Sequence, residues 1–300
     1  MADGGQFLQS RNYPPSERLA PYIARHYVFS VTAPDEFELI DHLLSETAFV
    51  RLLLRGDWSA QVVNGVWSNV GQAVFFGPNS RPLPVRVRGG FRVVGIAFCP
   101  AGWRALSDIA ANASTDRMVP LTDMLGRRAT ALLETVSAIT DDSTQGDGQI
   151  VNALEAVVSE LLDTRGWQKP DMVIQRFEQL ARNNSTALVR DVAAQLGLSE
   201  RQLERRCLPT FGMSPKAVLR RSRFLDMATA IRGLCTEDER EIAALRYYDQ
   251  PQMIREFRRF TTMTPGQFEK TPTPLLTAGL ELRNLRKMQD LANADDQALD

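Results

Sequence analysis

Residues 190–215 and residues 240–265 align without a gap at an offset of fifty. Arg190-Asp191-Val192-Ala193-Ala194 falls over Arg240-Glu241-Ile242-Ala243-Ala244, Leu203 over Met253, Arg205 over Arg255, and Met213-Ser214-Pro215 over Met263-Thr264-Pro265. Self-similarity at a fixed period means one supersecondary unit used twice, so whatever the first copy folds into constrains the second.

Each copy reads as two helices and a short turn. Ser199 with Gln202 forms a capping box, the serine oxygen accepting an N–H of the first turn while the glutamine reaches back; Asp249 with Gln252 repeats the pattern. Helices are therefore expected over about residues 200–210 and 250–260, with Pro251 harmless in a first turn. Leu203 and Cys207 in one, and Met253, Phe257 and Phe260 in the other, make an apolar face. Arg201, Glu204 and Arg205, and Gln252, Arg255 and Arg259, lie opposite. A shorter helix precedes each, over residues 188–196 and 239–245, and Ala193 followed four residues later by Gly197 has helix-turn-helix spacing. A second helix that offers Arg, Gln and Glu suits the DNA major groove, where Arg bonds G, Gln bonds A and Glu accepts from C. The bland counterpart is a two-helix corner with a solvated charged face; two copies in register favour DNA. Ser214-Pro215 and Thr264-Pro265 restart the chain as an N-cap followed by proline.

Charge supports that reading. The formal net charge is −1, yet residues 182–270 hold 16 basic and 11 acidic side chains, so a basic module stands beside an acidic remainder. At 300 residues and 44% hydrophobic, the chain has material for two cores. There is no run long enough to span a membrane and no signal peptide pattern, so no membrane partner and a cytoplasmic location are expected. Cys99, Cys207 and Cys235 never pair as CxxC, and His26 and His42 stand in no HxH or HxxxH spacing. Neither a zinc site nor a histidine-held iron is expected, and with no nucleophile elbow or phosphate loop the chain reads as a non-enzyme without cofactors.

Residues 48–100 are short runs rich in valine and phenylalanine, read as antiparallel strands with hairpin turns at Asn64-Gly65 and Gly89-Gly90. The fold class expected is α+β: a small amino-terminal antiparallel β barrel or sandwich, cupin-like, with helices near residues 101–111 and 121–139, then an all-α domain with two helix-turn-helix motifs. The polar segment 141–148 is taken as a linker. The division is a β-rich sensor or dimerisation domain (1–140), linker and helix (141–170), the DNA-binding domain (171–272), and a carboxy-terminal helix and tail (273–300). Trp58, Trp67 and Phe76 with Arg51 and Arg88 are candidates to line a pocket for a small anionic or aromatic effector. The alternative is that the aromatics are core and the arginines a solvent face.

The motif residues resemble a known family. Residues 197–206 (GLSERQLERR), Gly212-Met213-Ser214-Pro215-Lys216, Arg223-Phe224, and residues 248–260 with Thr264-Pro265 are similar to the two-motif DNA-binding domain of AraC/XylS-type transcription regulators. More loosely, residues 19–23, 98–102 and 119–121 resemble the amino-terminal domain of a subgroup of them. The resemblance implies about seven helices, two recognition helices joined by a long central helix over residues 215–233, and double-stranded DNA as partner. Base contacts would come from Arg201, Glu204 and Arg205, and from Gln250, Gln252 and Arg255; Arg206, Arg258 and Arg259 would hold phosphates. RNA polymerase, a small-molecule effector and a homodimer partner are compatible with it. The sequence departs from the family pattern at Cys207, usually phenylalanine, at Pro209, expected to kink or shorten its helix, and at Tyr247 or Arg246 and Thr262, where glycines are customary. A second motif altered in this way could hold mainly phosphates.

Overall fold

The computed structural model describes residues 8–44, 46–61 and 65–298, with side chains described to residue 288. Asn64, half of one expected turn, lies outside the described residues. The amino-terminal domain is built on β1 (Leu8–Tyr13), β2 (Ile23–Val31), β3 (Glu38–Leu43), β4 (Phe49–Gln61), β5 (Trp67–Asn69), β6 (Ala73–Phe76), β7 (Leu83–Phe98) and β8 (Met118–Pro120). They form one antiparallel sheet in the order β1-β2-β7-β4-β6-β8, with β3 added to β7 and β5 to β4.

The two long strands give the sheet its bend. Gly89-Gly90 does not reverse the chain as expected: β7 runs straight through both glycines and changes partners around them, pairing with β3 before and with β2 after. Opposite, β4 shifts register between Leu53 and Asp57, around Gly56 at φ +99°, where a Cβ would stand 2.7 Å from the Gly90 carbonyl oxygen. Glycine is used here to let two strands bend together at close approach, a need that the pattern of apolar runs cannot distinguish from a turn.

Helices cover one face. α1 (Pro100–Leu106), α2 (Ala111–Ser114), α3 (Leu121–Leu125), α4 (Arg127–Ser137) and α5 (Thr144–Thr164) follow the sheet. Trp103 of α1, Leu132 and Val136 of α4, and Ile150, Leu154, Val158 and Leu162 of α5 share a core with Leu52, Phe75, Val94 and Ile96. The supposed linker is half helix, because α5 starts at Thr144 under a Ser143 cap. Its Asp147 is buried, accepting from Arg11 Nε at 2.6 Å, Tyr13 Oη at 2.5 Å and Arg92 Nη2 at 3.2 Å. An aspartate in a polar run reads as solvated; three distant donors make it a buried clasp instead.

The second domain has seven helices: α6 (Met172–Asn183), α7 (Val189–Gln195), α8 (Glu200–Phe211), α9 (Pro215–Ile231), α10 (Glu237–Leu245), α11 (Gln250–Thr261) and α12 (Pro265–Lys270). α13 (Pro274–Ala298) follows and packs back against β3 and α9. Pro209 does not shorten α8, which continues to Phe211 and ends at Gly212 in the left-handed region. α10 begins two residues before the expected start, under a Thr236–Glu239 capping box.

Candidate nucleic-acid interface

α7 and α8 form the first helix-turn-helix, α10 and α11 the second, with α9 between them. Leu203, Cys207 and Phe211 seat α8 in a core with Ile174, Phe177, Val192 and Val218. Phe257 and Phe260 seat α11 against Phe224 and Phe268, with ring centroids 4.9–5.6 Å apart. Met253, expected in that core, is half-buried. Burying these faces fixes the opposite faces outward. Arg201, Glu204, Arg205 and Arg206 on α8, and Gln250, Arg255, Arg258 and Arg259 on α11, are exposed. Arg206 is engaged, donating from Nη1 to Asp171 Oδ2 at 2.8 Å. Gln252 is half-buried: the Asp249 carboxylate accepts its N–H at 2.6 Å, but its own Oε1 accepts from Tyr248 N at 3.2 Å rather than from Asp249, so the expected second box closes one residue earlier.

An open groove of about 830 Å3 is bounded by α7, α9, α11 and Glu200 at the start of α8, whereas Arg201, Glu204 and Arg205 surround a separate depression. Arg190 of α7, Lys216 and Arg220 of α9, and Arg255 and Arg259 of α11 line the groove, which brings α7, the central helix and the second recognition helix onto one cationic surface. Sequence reasoning does not single out Arg190, Lys216 and Arg220; the offset that aligns Arg190 with Arg240 is the available signal, and only one member of that pair faces the groove. Glu256, buried on α11, pairs with Arg223 and lies 3.9 Å from Arg220. One carboxylate thus locks the second recognition helix to the central one.

A separate cavity of about 150 Å3 lies where the sheet meets α13. Tyr27, Phe49, Arg51 and Trp58 face it from the strands, and Leu276, Leu280 and Arg283 from α13. Arg51 is 2% exposed. Its Nη2 donates to the Gly71 carbonyl at 2.6 Å, its Nε and Nη1 have no partner among the described residues, and its guanidinium carbon lies 5.2 Å from the Trp58 ring and 5.5 Å from the Phe76 ring. Burial pulls its pKa down to about 10, which leaves it charged at neutral pH. Of the five candidate effector residues, Arg51 and Trp58 line the cavity and Phe76 packs behind them, stacked on Phe49 at 4.5 Å. Trp67 and Arg88 lie elsewhere, Trp67 beneath Arg86 on an edge strand and Arg88 paired with Glu38 at 2.9 Å.

Two helix-turn-helix units with exposed arginines on their second helices, carried on a β-rich domain, define a DNA-binding transcription regulator. Residues 192–271 match the helix-turn-helix domain family and residues 11–120 match a domain of unknown function, DUF6597; the carboxy-terminal domain is a helix-turn-helix domain of the AraC type. No protein of curated function matches the chain in sequence. Among solved structures, an apo ToxT variant from Vibrio cholerae strain SCE256 is 10% identical, over 82% of this chain and 97% of that one, with a TM-score of 0.46. Wild-type ToxT from the same strain, bound to an unsaturated fatty acid, is 10% identical over 90% and 97%, with a TM-score of 0.43. The AraC-like transcriptional activator CuxR is 16% identical over 73% and 86%, with a TM-score of 0.26. Among the described residues no helix is long and apolar enough to cross a membrane.

Proposed function

We propose that this protein binds specific DNA sequences in the cytoplasm, with α8 and α11 reading base edges in successive major-groove segments, and that its amino-terminal domain senses a small anionic ligand. The observation that carries the DNA reading is that Arg205 and Arg255 are exposed on helices whose opposite sides are locked in separate cores. Guanidinium groups so placed match the O6 and N7 acceptors of guanine. The test is binding to the DNA upstream of the protein's own gene across a salt series, for wild type, Arg205→Ala and Arg255→Ala. A steep negative slope of log affinity against log salt is expected, with a loss of ~1–3 kcal/mol of base discrimination at each arginine. Equal affinity for random duplex would leave only a non-specific polyanion binder.

One observation favours a second reading for α11. Gln252 spends its carbonyl oxygen on the Tyr248 N–H, whereas Arg258 and Arg259 are exposed beside it. If Arg255→Ala weakens all sequences alike while only Arg205→Ala relaxes preference, the second motif holds phosphates.

The sensing reading rests on Arg51. A buried guanidinium with two unmet donors is costly unless an anion completes it. A cavity of about 150 Å3 with aromatic walls takes a benzene-sized body. Benzoate is therefore a fitting probe, with benzyl alcohol as the uncharged control. Saturable change in tryptophan emission by benzoate, weakened about tenfold or more in Arg51→Met, supports an anion site; equal responses to the two compounds exclude a role for the charge.

A further inference from the structure

We propose that Asp226 makes the second helix-turn-helix, and not the first, responsive to the position of α13; the inference rests on reading the cavity that α13 closes as the effector site. Asp226 lies on α9 and is 6% exposed. Its Oδ1 accepts from Arg283 Nη1 at 2.5 Å, and its Oδ2 accepts from Ser185 Oγ at 2.8 Å and, in a very short contact, from Arg246 Nη1. One carboxylate thus joins a residue of the cavity wall to a residue of the second turn.

Both ends of this bridge are placed to matter. Arg283 is 6% exposed, faces the cavity, donates from Nη2 to Ser222 Oγ at 2.6 Å and stands 3.4 Å from Glu46 of the amino-terminal domain. It thus stands between Asp226, Glu46 and the cavity. Arg246 is the residue that ends α10 and opens the turn into α11. That turn contains no residue in the left-handed region, so its course depends on side-chain anchors: Arg246 on Asp226, and Tyr247 beneath Arg223 at 5.4 Å. Releasing Arg246 frees the angle between α10 and α11.

The first motif is held by other means. Its turn is shaped by Gly197 at φ +67°, its core includes Ala101 of α1, and the end of α8 abuts α2, with Thr115 Oγ1 3.4 Å from the Gly212 carbonyl oxygen. Arg221 of α9, fully buried, donates to the carbonyls of Asn79 and Glu46, both at 3.0 Å. These ties run directly to the amino-terminal domain without passing through α13. A displacement of α13 reaches the second reading head through Asp226 and through the core that Leu276 and Leu280 share with Phe257 and Phe260, while the first, met by α13 through Arg286 on Glu178 of α6 at 3.2 Å, keeps its own ties to the amino-terminal domain.

The experiment is a double-mutant cycle on the full chain, read by quantitative footprinting of the two half-sites separately. Arg283→Met and Arg246→Met remove two cations that share Asp226 as partner, so their effects are coupled by contact alone, and the decision rests on which half-site carries the loss. Expected are a loss of about fivefold or more at the second half-site for Arg283→Met, an unchanged first half-site, and no further loss when Arg283→Met is added to Arg246→Met. Arg283→Lys, which keeps the cation but cannot hold Asp226 and Ser222 together, should show the same selectivity more weakly and guards against a folding defect. Additive losses, or equal losses at both half-sites in the lysine variant, overturn the coupling. Benzoate separates the two readings: Arg246→Met should still bind it, by tryptophan emission, without any change in footprint. If wild type ignores benzoate, the sensing reading fails, while the cycle still decides the coupling.

Discussion

The two helix-turn-helix motifs begin from one pattern and are finished differently. The first is closed by glycine, with Gly197 in its turn and Gly212 after its recognition helix, both at positive φ, and it leans on the amino-terminal domain through α1 and α2. The second has Tyr247 and Thr262 at the corresponding places and is closed by charge and aromatic packing: Arg246 on Asp226, Glu256 on Arg223, Phe257 and Phe260 on Phe224. Backbone closure is local and holds under any state of the rest of the molecule. Side-chain closure borrows partners from α9, and through Asp226 from α13, so the second motif is only as fixed as those helices.

The sharpest way to break the contrast is Gly212→Ala. A Cβ there would lie 2.0 Å from Thr115 Oγ1, at φ +75°. Left-handed strain and overpacking together should cost about 4 kcal/mol in chemical denaturation, and the first half-site footprint should weaken well before the second. Loss of both footprints in parallel would mean that the motifs are not separately anchored.

Next in size is a pH effect on the helix that braces the second motif. Leu276 and Leu280 of α13 share the core of Phe257 and Phe260, while Asp41 of β3 accepts the Leu275 N–H at 2.7 Å at the start of that helix. Burial raises the Asp41 pKa from 3.8 to about 6 against the opposing pull of those N–H bonds. With the folded pKa above the unfolded one, the folded state holds the proton longer, so this group favours folding below about pH 4 and loses that contribution as pH rises to about 6. A shift of about two units corresponds to about 3 kcal/mol. Denaturation of wild type and Asp41→Asn from pH 4 to 7 should show the difference between them changing by about that amount, because the amide of the variant does not titrate; parallel profiles would remove Asp41 as its source.

What the sequence reveals, and what it hides, follows the same division. Periodicity, capping residues and the repeat locate the recognition helices and their outward faces, because those are local properties of ten or twelve consecutive residues. The cavity is half legible: Arg51 and Trp58 face it, but its opposite wall comes from α13, more than 200 residues away, which no spacing rule connects to β4. Asp147 and Asp226 are invisible for the same reason, since an aspartate in a polar run or on a helix looks solvated until distant arginines close on it. Gly89-Gly90 reads as a turn and is a bend because a sharp bend and a reversal ask for the same residue.

Lys216 tests whether DNA spans both motifs. It sits at the start of α9, exposed, in the groove bounded by α7, α9 and α11. Lys216→Ala should weaken binding to all sequences alike, by ~1 kcal/mol, and reduce the salt slope by about 1. An unchanged slope would mean that the backbone does not cross the groove, and the motifs would then read DNA without a shared central contact.

The smallest expected effect is also the closest comparison of the two copies. Thr262 stands fifty residues after Gly212, at the same helix end and the same left-handed backbone, φ +65° against +75°. There the side chain is exposed. A β-branched residue in that region carries ~1–2 kcal/mol of strain, offset by the greater backbone freedom that glycine brings to the unfolded chain, ~0.5–1 kcal/mol. Thr262→Gly should therefore stabilise the protein by about 0.5 kcal/mol, opposite in sign to Gly212→Ala at the equivalent position. Loss of stability instead would show that the Thr262 Oγ1 bond to the Thr261 carbonyl, 2.5 Å long, and the Thr261 bonds around it hold the end of α11 more firmly than backbone preference does.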